Sequence, residues 1–343
     1  MQTVRNLPTL QMLPPPPLGK EGWPWTPETL PISEKDSKNS ESPKISIVTP
    51  SFNQGEFIEE TIRSVLLQGY PNLEYIIIDG GSSDNSLEII RKYEPWISYW
   101  ISEPDRGQSH GINKGFEKST GTILAWLNSD DLLKPNALHF VAKNLRDFST
   151  PTWLVGGTEI IDASSQFLDT RFVADISRKT LISWLANWFP QQSTFWNRSM
   201  WERVRPLDEK LHYTMDLDLW LSTIEQANPI YCDRLLSCYR YQPAAKTQGD
   251  ADVVWQETLQ VFKNYLRSSN LDVTQKREIA RAISQEALVY ANRSSVRRQI
   301  YHYLLSAIEH HPSTLLTQKF IYAIAKLVLG RNNYQFLSKL LKP

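Results

Sequence analysis

Two adjacent carboxylates, Asp130 and Asp131, follow directly on the apolar run Thr122 to Leu127 and the pair Asn128-Ser129. Neighbouring carboxylates repel each other. A divalent cation, magnesium or manganese, relieves that repulsion by taking oxygen ligands from one or two carboxylates while sharing itself with substrate phosphates. The competing role is helix capping, with either residue at the N-cap of a helix that Pro135 begins. The buried strand expected before the pair favours the metal. Asp216 and Asp218 form a second acidic pair, inside Tyr213 to Leu221, where Leu217, Trp220 and Leu221 give one apolar helical face. The first turn of a helix welcomes anions, and one of the two satisfies that role. The other is spare as a general base for the proton of an acceptor hydroxyl.

Asp79 and Asp84 bracket the turn Gly80-Gly81-Ser82-Ser83. The glycines permit close backbone approach. The simpler alternative is a strand-to-helix turn with Ser83 or Asp84 as N-cap. No GxGxxG is present, and an acidic loop repels pyrophosphate, so a dinucleotide fingerprint is a poor match. Carboxylates there suit a base N–H or a ribose hydroxyl. Arg106, before Gly107, is the natural cation for a phosphate, although a surface ion pair explains a lone arginine equally well.

These residues need elements to hold them. Ile45 to Pro50 and Tyr75 to Ile78 are short β-branched runs, as buried parallel strands require. Tyr99 to Ser102 and Thr122 to Leu127 read as two more strands. Helical patterns lie between them, with Phe57, Ile58, Ile62, Val65 and Leu66 on one face of the first and Gly107 to Ser119 forming the third. Strands alternating with helices imply a mostly parallel, Rossmann-like α/β sheet, and ligands of such sheets sit beyond the carboxyl ends of the strands. Four successive strand ends carry Thr49 to Asn53, Asp79 and Asp84, Glu103 to Gly107, and Asp130 with Asp131. Further strands are expected at Trp153 to Ile161, Ser193 to Trp196 and Tyr231 to Tyr241. Beyond residue 250 the pattern is helical.

Composition narrows the class. The chain has 343 residues, with 37 Lys and Arg against 37 Asp and Glu. That balance lacks the basic footprint of a nucleic-acid binder. Cys232 and Cys238 form no CxxC clip, which speaks against a zinc site and for a reducing, cytoplasmic setting. No run of about 20 apolar residues marks a membrane span. Residues 1–43 are rich in Pro, Ser, Glu and Lys, a composition that buries too little apolar surface to order itself. They read as a flexible arm, with Trp23 and Trp25 the exceptions. The expected organisation is therefore an arm at 1–43, a catalytic domain at 44–249 and a helical region at 250–343. Within that last region Leu315, Leu316, Phe320, Ile321, Ile324, Leu327 and Val328 interleave with Lys319, Lys326 and Arg331, and Lys339 and Lys342 follow. Such a stripe packs on its own domain or in a homodimer, or lies at the inner face of the plasma membrane.

The stretches ISIVTPSFNQGEFIEETIRSVLLQ, EYIIIDGGSSDNS, EPDRGQSHGINKGF, TILAWLNSDDLL, QQSTFW and MDLDLW, in that order and spacing, resemble the family 2 glycosyltransferases. The resemblance runs from Lys44 to Thr247. It implies the GT-A nucleotide-diphospho-sugar transferase fold and an inverting transfer of a sugar from a nucleotide-diphosphate donor, with a UDP-sugar foremost, to an acceptor hydroxyl. Polysaccharide or lipid-linked glycans are the acceptors the family suggests. By the same resemblance Pro50, Ser51, Asn53 and Glu56 line the nucleotide pocket, Asp79 holds the base with Asp84 beside it, and Arg106 and Gly107 lie by the donor. Asp130 and Asp131 match the acidic metal motif, with the cation on Asp131 and Asp130 beside it, and Asp216 matches the catalytic base. Gln191 and Gln192 match a donor- or acceptor-side segment, and Trp220 is grouped with them. Two departures stand out. Asn128 occupies a place where the family often has Asp. Gln242 stands where many relatives carry the histidine of an R-x-H-x-x-S-K pattern, leaving Lys246 to supply the missing positive charge.

The rivals are a nucleotidyltransferase and a catalytically silent nucleotide-sugar-binding scaffold. The first would carry a basic glycine-rich loop early in the chain, and Ser51 to Gly55 contains neither Lys nor Arg. The second would be expected to have lost one of Asp130, Asp131 and Asp216.

Overall fold

The computed structural model describes residues 7–27, 42–173, 176–182, 189–204, 206–242, 251–268, 271–294 and 296–328. The chain divides into two compact units, one made of Met1–Asp175 with Phe189–Ala245, the other of Ile176–Trp188 with Lys246–Pro343.

The first unit is built on a nine-stranded sheet. Its strands are β1 (Ile45–Ser51), β2 (Leu73–Asp79), β3 (Tyr99–Ser102), β4 (Ile123–Trp126), β5 (Leu132–Leu133), β6 (Trp153–Ile161), β7 (Phe167–Arg171), β8 (Thr194–Asn197) and β9 (Ile230–Arg240). They run in the order β3-β2-β1-β4-β8-β6-β9-β5, with β7 paired to β6. The pairings β1–β2, β1–β4 and β2–β3 are parallel, so these strands end at one edge of the sheet. All seven residues of β1 are buried, which explains its unbroken apolar run. Helices α1 (Ile58–Leu66), α2 (Ser86–Tyr93) and α3 (Gln108–Lys118) make the crossovers, and α4 (Ala137–Asn144), α6 (Arg198–Arg203) and α7 (Met215–Ile224) follow, while the short α5 (Arg178–Ile182) belongs to the second unit. The two-residue β5 and the exposed β7 carry no periodicity that would have announced them.

Helix α7 is anchored by an indole stack. The Trp220 ring lies 5.4 Å from Trp196, 5.9 Å from Trp153 and 6.1 Å from Trp126, all within 12° of parallel. Offset ring pairs of this kind add about 0.5–1.5 kcal/mol each to what burial supplies. Trp220 has no exposed surface. It is a packing residue, not one exposed on the ligand side with Gln191.

The N-terminal segment also departs from its composition. Leu13 and Trp25 are buried. The reason lies outside the segment, in Arg63, a guanidinium with no exposed surface. It donates to the carbonyls of Pro14 (2.8 Å), Pro24 (3.2 Å) and Trp25 (3.4 Å) and to the Tyr93 hydroxyl, and it sits 5.1 Å from the Trp25 ring. A buried cation needs such partners. Trp23 adds a bond from Nε1 to the Leu133 carbonyl at 2.8 Å. Residues 7–27 are thus a strap across α1, not a free arm.

In the second unit the long helices are α8 (Ala251–Ser268), α9 (Val273–Arg293) and α10 (Arg297–His310). Asp272 and Gln275 close a reciprocal capping box at the start of α9. Trp255, Tyr290 and Tyr303 pack as a trio with ring separations of 5.2–5.9 Å. A 3-10 turn, Pro312–Leu316, leads into helical residues 318–328. Phe320 and Ala323 of that helix are buried, whereas Leu316, Ile321, Ile324 and Val328 are exposed, so the apolar stripe is not one packed face. Arg331, Lys339 and Lys342 lie outside the described residues. No described helix is long and apolar enough to cross a membrane.

Candidate active site at the carboxyl ends of the parallel strands

The turn after β1 and the turn after β2 are stitched to each other. The Asn53 backbone N–H donates to Ser82 Oγ (2.7 Å), and Asn53 Oδ1 accepts from the Ser83 N–H (2.9 Å). The Gly55 N–H donates to Asp84 Oδ2 (2.8 Å), whose other oxygen accepts from the Ser86 N–H. Two positions here require an unusual backbone or no side chain. Asn53 has φ 52°, a conformation that asparagine tolerates. A Cβ on Gly55 would fall 1.7 Å from Asn85 Oδ1. Asp79 is fully buried. Its carboxylate accepts from the Gly81 and Ser82 N–H groups and from the Ser82 and Ser102 hydroxyls, at 2.6–3.1 Å. It therefore shapes the loop with four bonds rather than presenting a bare carboxylate. Ser51 Oγ and Gln54 Oε1, by contrast, are buried with no hydrogen-bond partner among the described residues. Buried polar atoms left unpaired cost free energy, and a ligand at a strand end is the economical partner. Pro50 is buried beside them and Glu56 is exposed.

The acidic turn sits at the next strand end. It is followed by β5, and α4 begins only at Ala137 behind Asn136, so neither aspartate caps a helix. The two carboxylates are not equivalent. Asp131 is 1% exposed. Its Oδ1 accepts from the Arg240 N–H (3.0 Å) and its Oδ2 from Asn128 Nδ2 (3.2 Å). Burial, together with the neighbouring Asp130 charge, holds its carboxyl well above the usual carboxylate range. Asp130 remains partly exposed, and its Oδ2 accepts from Gln242 Nε2 at 2.8 Å. Burial raises Asp130 too, against the lowering effect of that bond. Helix α1 supports the turn from below: Thr61 Oγ1 bonds to the Ser129 and Asp131 carbonyls, and Ser64 Oγ accepts from the Leu133 N–H.

Arg240 is the hub that sequence reasoning missed. It is 1% exposed. Its guanidinium donates to the Asp130 carbonyl (2.9 Å), the Asp162 carbonyl (3.1 Å), Ser165 Oγ (2.8 Å) and Glu60 Oε2 (2.9 Å). The one visible hint was an arginine closing an apolar strand, where a charge has to find a buried partner. Glu60, that partner, is 180 residues away and looks in sequence like any helix glutamate.

Asn128 joins the turn to its other side. Its Oδ1 accepts from Gln108 Nε2 (2.8 Å), and its Nδ2 donates to Gln191 Oε1 (3.3 Å) as well as to Asp131. An aspartate could only accept here, which accounts for the amide. Gln191 also donates to the Trp126 carbonyl, so it borders the acidic turn, whereas Gln192 spends its amide on Thr158. The same α3 that supplies Gln108 reaches the start of α7: Ser109 Oγ bonds to the Leu211 carbonyl and Met215 Sδ, and Asn113 exchanges two bonds with Leu207. Asp216 and Asp218 lie in the first turn of α7. Asp218 is 5% exposed, while Asp216 is the more accessible and uses one oxygen on the Leu217 N–H. Arg106 is paired with Glu209 at 2.6 Å and is 67% exposed, the surface ion pair weighed against a phosphate role. Gly107 has φ 112° and approaches His212. Lys246 lies outside the described residues.

An uncharacterized glycosyltransferase of Rickettsia typhi is 28% identical over 216 residues, covering 61% of this chain and 68% of its own. One of Mycobacterium tuberculosis is 38% identical over 91 residues, 26% of this chain and 35% of its own. Among solved structures, S. aureus TarS 1–349 superposes with a TM-score of 0.62 at 13% identity, covering 87% of this chain and 92% of that one. The mannosyltransferase PcManGT of Pyrobaculum calidifontis gives 0.50 at 16% identity, covering 91% and 92%. At those identities the likeness establishes the fold, a GT-A type α/β sheet with a helical C-terminal region. Residues 46–153 match the family described as glycosyl transferase family 2, a span that holds the carboxyl ends of β1 to β4 and the acidic turn. That segment, about a third of the chain, carries the match to family 2 glycosyl transferases, a family of transferase enzymes.

Proposed function

We propose that the chain transfers a sugar from a nucleotide-diphosphate donor, a UDP-sugar first among them, to an acceptor hydroxyl, with inversion at the anomeric carbon. The observation that carries this reading is the asymmetry of the acidic turn. Asp131 is buried with both oxygens bonded, and Asp130 alone is held at the accessible side by Gln242 and Arg240. Such a donor set fits a divalent cation shared between one carboxylate and substrate phosphates. The lead ligand is then Asp130, with Asp131 orienting the turn, a reversal of the order the sequence suggested. A bound cation would neutralise charge on the departing diphosphate.

The chain's own groups carry the remaining steps. Ser51, Gln54 and Asn53, at the end of the adjacent β1, receive the nucleoside, and the orphaned Ser51 Oγ and Gln54 Oε1 supply the unmet hydrogen bonds. Asp79 and Asp84 act by fixing that cradle. Asp216, the more accessible acid of α7, takes the proton of the acceptor hydroxyl as its oxygen bonds to the anomeric carbon and the bond to the diphosphate breaks. One in-line displacement inverts the centre and needs no nucleophilic carboxylate. Two solved neighbours support a nucleotide-sugar donor and a metal: TarS 1–349 is known in complex with UDP-GlcNAc, and PcManGT with GDP-Man and Mn2+. The reading places the enzyme on the cytoplasmic side, in polysaccharide or lipid-linked glycan synthesis.

The test is calorimetric titration of UDP and GDP with and without manganese, followed by a screen of UDP-, GDP- and dTDP-sugars for nucleotide release. Metal-linked nucleotide binding and turnover of one donor class are expected. Absence of nucleotide binding under every condition would refute the proposal.

A further inference from the structure

The strap of residues 7–27 is tied to the acidic turn as well as to α1. Trp23 Nε1 donates to the Leu133 carbonyl at 2.8 Å. Leu133 belongs to β5, the two-residue strand that follows Asp130 and Asp131. The amide of the same residue donates to Ser64 Oγ at 3.1 Å. Leu133 is thus held twice, by the strap through its oxygen and by α1 through its nitrogen. Covering the core accounts for the buried Leu13 and Trp25. It does not account for Trp23, which is half-buried and could leave its N–H to water. That N–H instead spans 110 residues of sequence to reach the main chain beside the acidic turn.

Helix α1 is the support common to strap and turn. Thr61 and Ser64, three residues apart, share one helix face. The Thr61 hydroxyl lies 2.9 Å and 2.8 Å from the carbonyl oxygens of Ser129 and Asp131, on either side of Asp130. Just past the helix, Gln68 donates to the Lys134 carbonyl at 2.9 Å and accepts from the Leu138 N–H at 3.2 Å. Arg63 of the same helix is spent on the strap carbonyls of Pro14, Pro24 and Trp25. Leu13 of the strap shares one apolar cluster with Ile62, Val65 and Leu133. Arg240 and Gln242 hold Asp130 from β9 and the residues after it, and the frame of strap, α1 and β5 holds the turn from the other elements. Placement matters here because magnesium demands near-ideal geometry at about 2.0–2.1 Å, and a site must be held within about 0.5 Å to work.

We propose that the N-terminal strap is a positioning element for Asp130: docked, it clamps α1 to β5 and fixes the acidic turn between them where a divalent cation needs it. The proposal rests on the reading of Asp130 as the lead ligand of that cation. Trp23 and Arg63 are positioning residues that act through the turn. The experiment uses the full chain and two variants. Trp23→Phe keeps a ring and removes the bond to Leu133; Leu13→Ser/Trp25→Ser loosens the strap from the interior. Calorimetry of UDP and GDP with and without manganese gives the gain in nucleotide affinity that the metal supplies. Hydrogen exchange compares residues 129–134 with β1 and β2. Trp23→Phe should reduce the manganese gain roughly fivefold, the worth of one hydrogen bond. The double variant should reduce it tenfold or more. Nucleotide affinity without metal should stay within about twofold of native, and exchange should quicken across 129–134 and not in β1 or β2. A strap that served packing alone would lower the melting temperature and leave the manganese gain and the local exchange unchanged. Should the double variant fail to fold, Trp23→Phe decides, since it removes a single bond. A native-like manganese gain in Trp23→Phe would overturn the proposal, as would an equal loss of affinity with and without metal. A native chain that binds nucleotide with no help from metal would overturn the reading of Asp130 and this proposal together; metal-linked binding that both variants retain would overturn this proposal alone.

Discussion

Removing Arg240 tests the support of the acidic turn most directly. Its guanidinium and the Glu60 carboxylate have side-chain exposures of 0% and 5% and lie 2.9 Å apart. Arg240→Met removes one charge of a buried pair, which typically costs about 3–5 kcal/mol because the partner is left uncompensated. Glu60 would keep only its bonds from the Ser165 hydroxyl, and the Asp130 and Asp162 carbonyls would each lose a donor. For a unit of this size, about 2–4 °C in Tm accompanies each kcal/mol, so melting should fall by roughly 6–20 °C. The double variant Glu60→Leu/Arg240→Met removes both charges and should recover most of that loss. It does not restore the bond to the Asp130 carbonyl, so metal-linked nucleotide affinity and transfer should stay depressed by roughly tenfold or more, in keeping with the sensitivity of catalysis to small misplacements. Thermal unfolding and nucleotide titration of the native, single and double chains provide the comparison. A single variant that melts with the native protein would refute the buried-pair argument, and a double variant with native transfer would refute the positioning of Asp130.

Asp130→Ala should abolish turnover and the metal dependence of nucleotide binding, whereas Asp131→Asn should retain measurable metal-linked binding and lose about 1–3 kcal/mol of stability as a buried donor goes unpaired; calorimetry and melting separate the two, and the opposite pattern would return the lead to Asp131. Asp216→Asn should lower transfer by about two to four orders of magnitude at near-native nucleotide affinity, the usual worth of a general base; Asp218→Asn showing that profile instead would move the base to the buried acid. Burial pushes the Cys238 thiol up to about 12. An unfolded thiol ionises near ~8.5, so the contribution of the neutral buried thiol is intact below that value and is lost as pH rises towards the folded pKa. Alkylation at pH 8 followed by peptide mapping should therefore label Cys232 before Cys238, and equal labelling of the folded protein would contradict the burial.

Much of the framework was legible because it depends on local pattern. Ile45 to Pro50 and Tyr75 to Ile78 are buried on both faces of a parallel sheet, so they appear as unbroken apolar runs that stop where polar loops begin. The alternation of such runs with helical periods dictates crossovers, and crossovers gather the strand ends on one edge. The α/β class and the cluster of polar strand ends followed from that alone. What each polar residue does at that edge did not. Asp130 and Asp131 are indistinguishable as letters; Arg240 and Gln242, more than 100 residues further on, decide which is buried and which stays accessible. Asp79 promised a ligand contact but is consumed by Ser82 and Ser102, and Trp220 promised one but lies inside an indole stack. Residues 7–27 dock Leu13 and Trp25 in the interior and are held by Arg63, a cation that could be buried only by borrowing their carbonyls. Periodicity is a property of neighbours in the chain, and sequence can carry it. The pairing of a buried charge is a property of neighbours in space, and only the folded sheet brings those together.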